Sequence, residues 1–131
     1  MVAPLNVGLA GLGTVGGGVA AVLLSNGDLL ASRAGRSLVL TAVSARDAKK
    51  NRDISLSGVA FESNPLALAE RNDVDVVVEL IGGEAGAAKE LVESALKRGK
   101  HVVTANKALL AHHGAALAAL AEEKSLALKF E

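Results

Sequence analysis

Leu5-Asn6-Val7-Gly8-Leu9-Ala10-Gly11-Leu12-Gly13-Thr14-Val15-Gly16-Gly17-Gly18-Val19 is the stretch on which the reading of the fold turns. It begins as a short apolar run, passes through Gly11-x-Gly13-x-x-Gly16, and continues into an Ala/Leu-rich segment. A G-x-G-x-x-G pattern alone is weak. Between a strand and a helix it has a mechanism. Gly11 permits the tight turn, Gly13 lets the backbone approach a pyrophosphate, and Gly16 lets the helix pack closely on the strand. The free N–H groups at the helix start, near Thr14 and Val15, then face the phosphates. Consecutive glycines in a first helical turn cost about 1 kcal/mol each, which argues that they serve a ligand. No G-K-[ST] follows, which excludes a phosphate-loop NTPase.

Outward from this stretch, short apolar runs alternate with longer helical ones. Strands are expected at 5–10, 38–43, 74–80, 101–104 and 126–130, with a brief one at 58–61. Helices are expected at 14–24, 65–71, 85–98 and 114–123, and a loop at 44–57. The strands are apolar on both faces, as in a parallel sheet covered on both sides. Alternation with short links predicts an α/β fold, a doubly wound parallel sheet in a single domain over 1–131. Asn64-Pro65 reads as a helix start, and Lys97-Arg98-Gly99 as a helix end.

Composition excludes several classes. Fourteen Lys+Arg against 14 Asp+Glu give a formal net charge of zero, with no long-range pull toward nucleic acid or anionic membrane. There is no cysteine, so no disulfide framework and no thiolate metal site. Trp and Tyr are absent, which removes stacking platforms for single strands. No apolar run reaches the ~18 residues of a spanning helix, and the N-terminus lacks a basic n-region. A cytoplasmic location is expected.

The end of the second strand bears on which dinucleotide is bound. Ser44, where an acid for a ribose 2′-OH is sought, is not acidic. The loop that follows carries Arg46, Lys49, Lys50 and Arg52 against Asp47. Arg46 is best placed for a bidentate contact with a 2′-phosphate, which favours NADP over NAD. Asp47 could serve the ribose instead. Farther on, Ile81, Gly82 and Gly83 follow a buried strand and are expected near the cofactor ribose and nicotinamide. Glu79 reads either as functional or as the partner of a helix cation. Asp73 and Asp75 lie at the wrong end of the strand for ligand and read as structural. Lys107 follows another strand at the same rim. It could orient substrate, bond to the nicotinamide side or assist proton transfer, or it could simply open the next helix. His112 and His113 are adjacent, so they do not form a chelating i, i+4 pair.

Residues 6–19, 77–83 and 99–114, with Thr104-Ala105-Asn106-Lys107-Ala108-Leu109-Leu110-Ala111 at the centre of the last, resemble the amino-terminal half of homoserine dehydrogenase. The resemblance covers essentially the whole chain. It implies a Rossmann-type domain that serves the NAD(P)H-dependent reduction of aspartate 4-semialdehyde to homoserine, toward threonine, methionine and isoleucine. It implies that Gly11, Gly13, Thr14, Val15 and Gly16 hold the pyrophosphate and nicotinamide side, and that Arg46 sits by the adenosine ribose or its phosphate. Thr104, Ala105 and Asn106 would line the nicotinamide pocket, and Lys107 would match an active-site lysine. Glu131 would match a glutamate near a monovalent-cation site. The substrate-binding and dimerising portion of the family, with its own catalytic Lys and Asp, is not found after Glu131. A homodimer is implied for the full enzyme, and this chain alone is expected to bind nucleotide without turnover. Two rivals stand beside this reading. One is the cofactor domain of another carbonyl or imine reductase. The other is a non-catalytic NAD(P)-binding module.

Overall fold

The computed structural model describes residues 2–46, 54–83 and 86–130. The β-branched and Leu-rich runs form six strands: β1 (Leu5–Ala10), β2 (Leu38–Ser44), β3 (Ala60–Glu62), β4 (Val76–Glu79), β5 (His101–Thr104) and β6 (Leu128–Phe130). They pair in parallel in the order β3-β2-β1-β4-β5-β6. The order reverses between β1 and β4, so a crevice opens there at the carboxyl ends of the strands.

Helices α1 (Thr14–Ser25), α2 (Gly27–Ala34), α3 (Leu66–Glu70), α4 (Ala87–Lys97) and α5 (Lys107–Glu123) connect the strands. Successive strand residues supply opposite cores, as a period of two requires. Leu9 and Val43 pack with Leu12 and Ala20 of the α1 side. Their neighbours Ala10 and Ala42 pack with Leu68, Leu91 and Leu117 of the α3–α5 side. Helix α4 buries Ala88, Leu91, Val92, Ala95 and Leu96, an i, i+3, i+4, i+7, i+8 stripe.

Two expectations needed correction. Helix α2 was not foreseen, because Leu29 and Leu30 are too few to set a period and the helix buries no residue completely. Helix α5 starts at Lys107, a full two turns before the expected 114, because Asn106 caps it and Leu109 is buried in its first turn. Gly114 lies inside the helix without breaking it, since the cost of one interior glycine is small beside that packing. Helices α1 and α2 together approach membrane-spanning length and apolarity but meet at 84°. No single helix among the described residues is long and apolar enough to cross a membrane.

The opposite end of the sheet is tied structurally. Asn6 N–H donates to Asp75 Oδ2 at 2.8 Å, while Arg71 reaches from Asp73, just before β4, to Glu62 at the carboxyl end of β3, each at 2.8 Å.

Candidate functional site

The glycine turn joins β1 to α1 at the crevice. Gly11 has φ of +101°, and a side chain there would bring its Cβ within 2.8 Å of the Leu80 carbonyl oxygen. It is therefore glycine for two reasons, a left-handed backbone and close approach to the exit of β4. A Cβ on Gly16 would stand 1.9 Å from the Gly11 carbonyl oxygen. The helix start thus sits directly on the turn. Gly13 is different, for a Cβ there would meet nothing within 4 Å. Space at Gly13 is kept open on the ligand side.

The first intrahelical bond of α1 runs from Gly17 N–H to the Gly13 carbonyl at 2.7 Å. The N–H groups of Thr14, Val15 and Gly16 precede it, no side chain caps this end, and its first turn holds no acid. These donors and the helix dipole make an anion site that the protein itself leaves unfilled. A cleft of about 580 Å³ runs from this turn across the carboxyl ends of the strands. Gly11, Leu12 and Gly13 line it on one side, Ser44, Ala45 and Arg46 on another, and Leu80 and Ile81 on a third. The structure therefore brings the glycine turn, Arg46 and Ile81 to one cleft. A cradle that a Cβ would fill, unpaired backbone donors and a cation in the lining fit a dinucleotide. Asp47, Lys49, Lys50, Arg52 and Glu131 lie outside the described residues. Among the described residues no group of three His, Asp or Glu could hold a metal ion.

The second half of the rim is built around Glu79, which is fully buried. Its Oε2 accepts from Ile81 N–H at 2.8 Å and from Gly82 N–H at 2.9 Å. Its Oε1 accepts from the Thr104 hydroxyl at 2.7 Å. Thr104 Oγ1 in turn accepts from Asn106 N–H at 3.0 Å. Asn106 Oδ1 caps α5 by accepting from Leu109 N–H at 3.0 Å, and its Nδ2 donates to the Gly83 carbonyl. One network thus fixes the turn after β4 and the start of α5 together. Gly82 and Gly83 have φ of +89° and +93°, a pair of left-handed residues that this turn requires.

Several expectations change in detail here. Glu79 pairs with no helix cation among the described residues and instead organises the rim. Thr104 and Asn106 are buried and act through this network, whereas Ala105, Ile81, Gly82 and Gly83 are exposed at the rim. Lys107 is exposed at the first position of α5, and no acid lies in that first turn. The macrodipole disfavours a cation there, so its charge is not present for helix stability. The Glu79 network was not legible in the sequence. A buried Glu between Val78 and Leu80 was its one signal, and that signal does not name its partners.

Comparison with known proteins places this geometry. A family model described as homoserine dehydrogenase, NAD binding domain, matches residues 11–131. The homoserine dehydrogenase of Neisseria gonorrhoeae is 49% identical over 128 residues, covering 98% of this chain and 29% of that protein. That of Corynebacterium glutamicum is 45% identical over 130 residues, covering 97% and 28%. The crystal structure of a homoserine dehydrogenase from Thiobacillus denitrificans superposes with a TM-score of 0.88 at 42% identity, over 98% of this chain and 29% of that one. The chain thus spans about three-tenths of the length of the relatives it matches.

Proposed function

This chain belongs to the homoserine dehydrogenase family, matching its NAD-binding domain, and from that premise we propose that it holds the nicotinamide dinucleotide of an aspartate 4-semialdehyde reductase. The observation that carries the proposal is the uncapped α1 terminus beside Gly13, opening on a cleft that Arg46 also lines.

In this reading the N–H groups of Thr14, Val15 and Gly16 bind the pyrophosphate, and Gly13 gives it room. Arg46 receives the adenosine 2′-phosphate, so NADP is preferred to NAD. Ile81, Gly82, Gly83 and Ala105 border the nicotinamide half, held in place by Thr104 and Asn106. When bound, the cofactor supplies the hydride exchanged with the aldehyde carbon. The Lys107 ammonium, free of any ion pair among the described residues, directs its protons to the substrate oxygen and polarises it. The remaining catalytic groups, the dimer contact and the cation site near Glu131 belong to the longer family enzyme, and this chain alone binds without turning over. A cytoplasmic location accords with that role.

Calorimetric titration with NADPH and with NADH tests this reading. Tighter NADPH binding that falls selectively on Arg46→Ala is the expected result. Equal or tighter NADH binding removes Arg46 from the specificity argument. No heat with either cofactor sinks the dinucleotide reading. Homoserine oxidation recovered on adding the rest of a family enzyme identifies the reaction, and binding without any recovered rate identifies a non-catalytic module.

A further inference from the structure

Glu79 is the one carboxylate among the described residues that is fully buried. Its partners are three donors, two of them backbone amides, and no cation pairs with it among the described residues. The hydrogen bonds do not by themselves demand a charge. A glutamine in the same shape could accept from Ile81 and Gly82 through its oxygen. Its NH2 could donate to Thr104 Oγ1, which has a second lone pair to offer. Keeping an ionisable carboxyl where a neutral amide would serve is costly, since a buried charge loses its hydration.

Position supplies a reason. Glu79 ends β4, which flanks the point where the strand order reverses, on the side away from β2 and Arg46. A dinucleotide that places its adenosine half at the end of β2 lays its other half over the ends of β4 and β5. The carboxylate is pinned from both ends by the turn at 81–82 and by Thr104, so it cannot swing out to solvent.

We propose that the fixed, buried charge of Glu79 is a specificity device for the oxidation state of the cofactor, favouring the positively charged oxidised nicotinamide over the neutral reduced one. This rests on the dinucleotide reading above. A charge with no counter-ion acts through a low-dielectric interior even where hydrogen bonds partly compensate it. With the cofactor bound, the same carboxylate would favour loss of hydride to the aldehyde carbon, since the ring would gain one positive charge as the electron pair leaves with the hydride.

The test is the ratio of dissociation constants for NADP+ and NADPH, measured by calorimetry on the full chain. Glu79→Gln keeps the shape and removes the charge. It is expected to weaken NADP+ about five- to tenfold relative to NADPH. Equal weakening of both forms, or an unchanged ratio, overturns the proposal and leaves Glu79 a structural residue while the dinucleotide reading stands. Thr104→Val removes one compensating donor and keeps the charge, so it should move the ratio in the opposite direction. Should Glu79→Gln fail to fold, that variant decides alone, and an unmoved ratio or one shifted toward NADPH refutes the inference. If the unaltered chain binds neither form, this inference falls together with the dinucleotide reading.

Discussion

Gly13 and Gly16 stand in one motif and have different physical jobs. The Gly16 position has no room, since an added Cβ would sit 1.9 Å from a backbone oxygen that cannot rotate away. Gly16→Ala should therefore cost at least about 1–3 kcal/mol of folding stability, read as a lowered urea midpoint. Gly13 has ordinary negative φ, −71°, and open space around its missing side chain. Gly13→Ala should lower stability by no more than about 1 kcal/mol, the loss of a favourable N-cap residue. Its cost should appear as at least tenfold weaker cofactor binding, because the methyl group stands where the pyrophosphate approaches. A large stability loss at Gly13, with cofactor affinity intact, would contradict this division.

At the scale of an element, α4 and α5 end in the same way with different residues. In each, the second residue past the cap closes a bond back to the helix: Lys100 N–H to Ala95 at 2.9 Å and Leu126 N–H to Ala121 at 2.8 Å. The left-handed position between cap and closure is Gly99 in α4 and Ser125, with φ of +57°, in α5. A serine pays for that conformation and a glycine does not. Ser125→Gly should raise stability by about 0.5–1 kcal/mol, less the extra freedom of glycine in the unfolded chain, seen as a higher melting temperature. At the other end of α5, Asn106 both caps the helix and ties it to Gly83. Asn106→Ala should cost about 1–2 kcal/mol and weaken cofactor binding as well, since the turn after β4 loses its anchor. Loss of stability with unaltered affinity would separate the cap from the site.

Across the whole molecule, the two ends of the parallel sheet divide the work. The residues just before β4 carry an ion pair and a tie to β1, and the carboxyl ends carry the cleft. At the amino end the Arg71 guanidinium holds the Asp73 carboxyl below the ordinary carboxylate value, chiefly through their hydrogen bonds. A depressed folded value means that the unfolded chain binds the proton more tightly. The stabilisation is then present above about pH 4 and is lost as pH falls through the folded value. Asp73 is half-exposed, so screening keeps this below about 1 kcal/mol. Arg71→Met should narrow the gap in urea midpoint between pH 6 and pH 3. An equal gap in both proteins would show that other carboxylates govern acid sensitivity. Beyond the cleft, both ends of the sheet leave apolar side chains exposed, Val39 and Phe61 on β2 and β3 and Val103 and Phe130 on β5 and β6.

The local signals that could be read from the sequence were those carried by neighbouring residues. Short β-branched and Leu-rich runs located the six strands to within a few residues, and strand, glycine turn and helix in succession pointed to the parallel fold and its anion site. Asn64 capping α3, with Leu66 N–H at 3.0 Å from its Oδ1, is a signal of the same local kind. Relations between distant segments were not legible. Glu79 meets Thr104 across 25 residues, Asn106 meets Gly83 across 23, and the Leu80 carbonyl restricts Gly11 from another strand. The sequence by itself determined which backbone stretches are strands, turns and helix starts, because those choices follow from sterics and apolar spacing within a few residues. Only the tertiary structure decided that Glu79 is buried with no cation beside it among the described residues and that Thr104 and Asn106 work from behind the rim. Burial and hydrogen-bond partnership depend on which strands lie side by side, and parallel pairing joins residues that no local pattern connects.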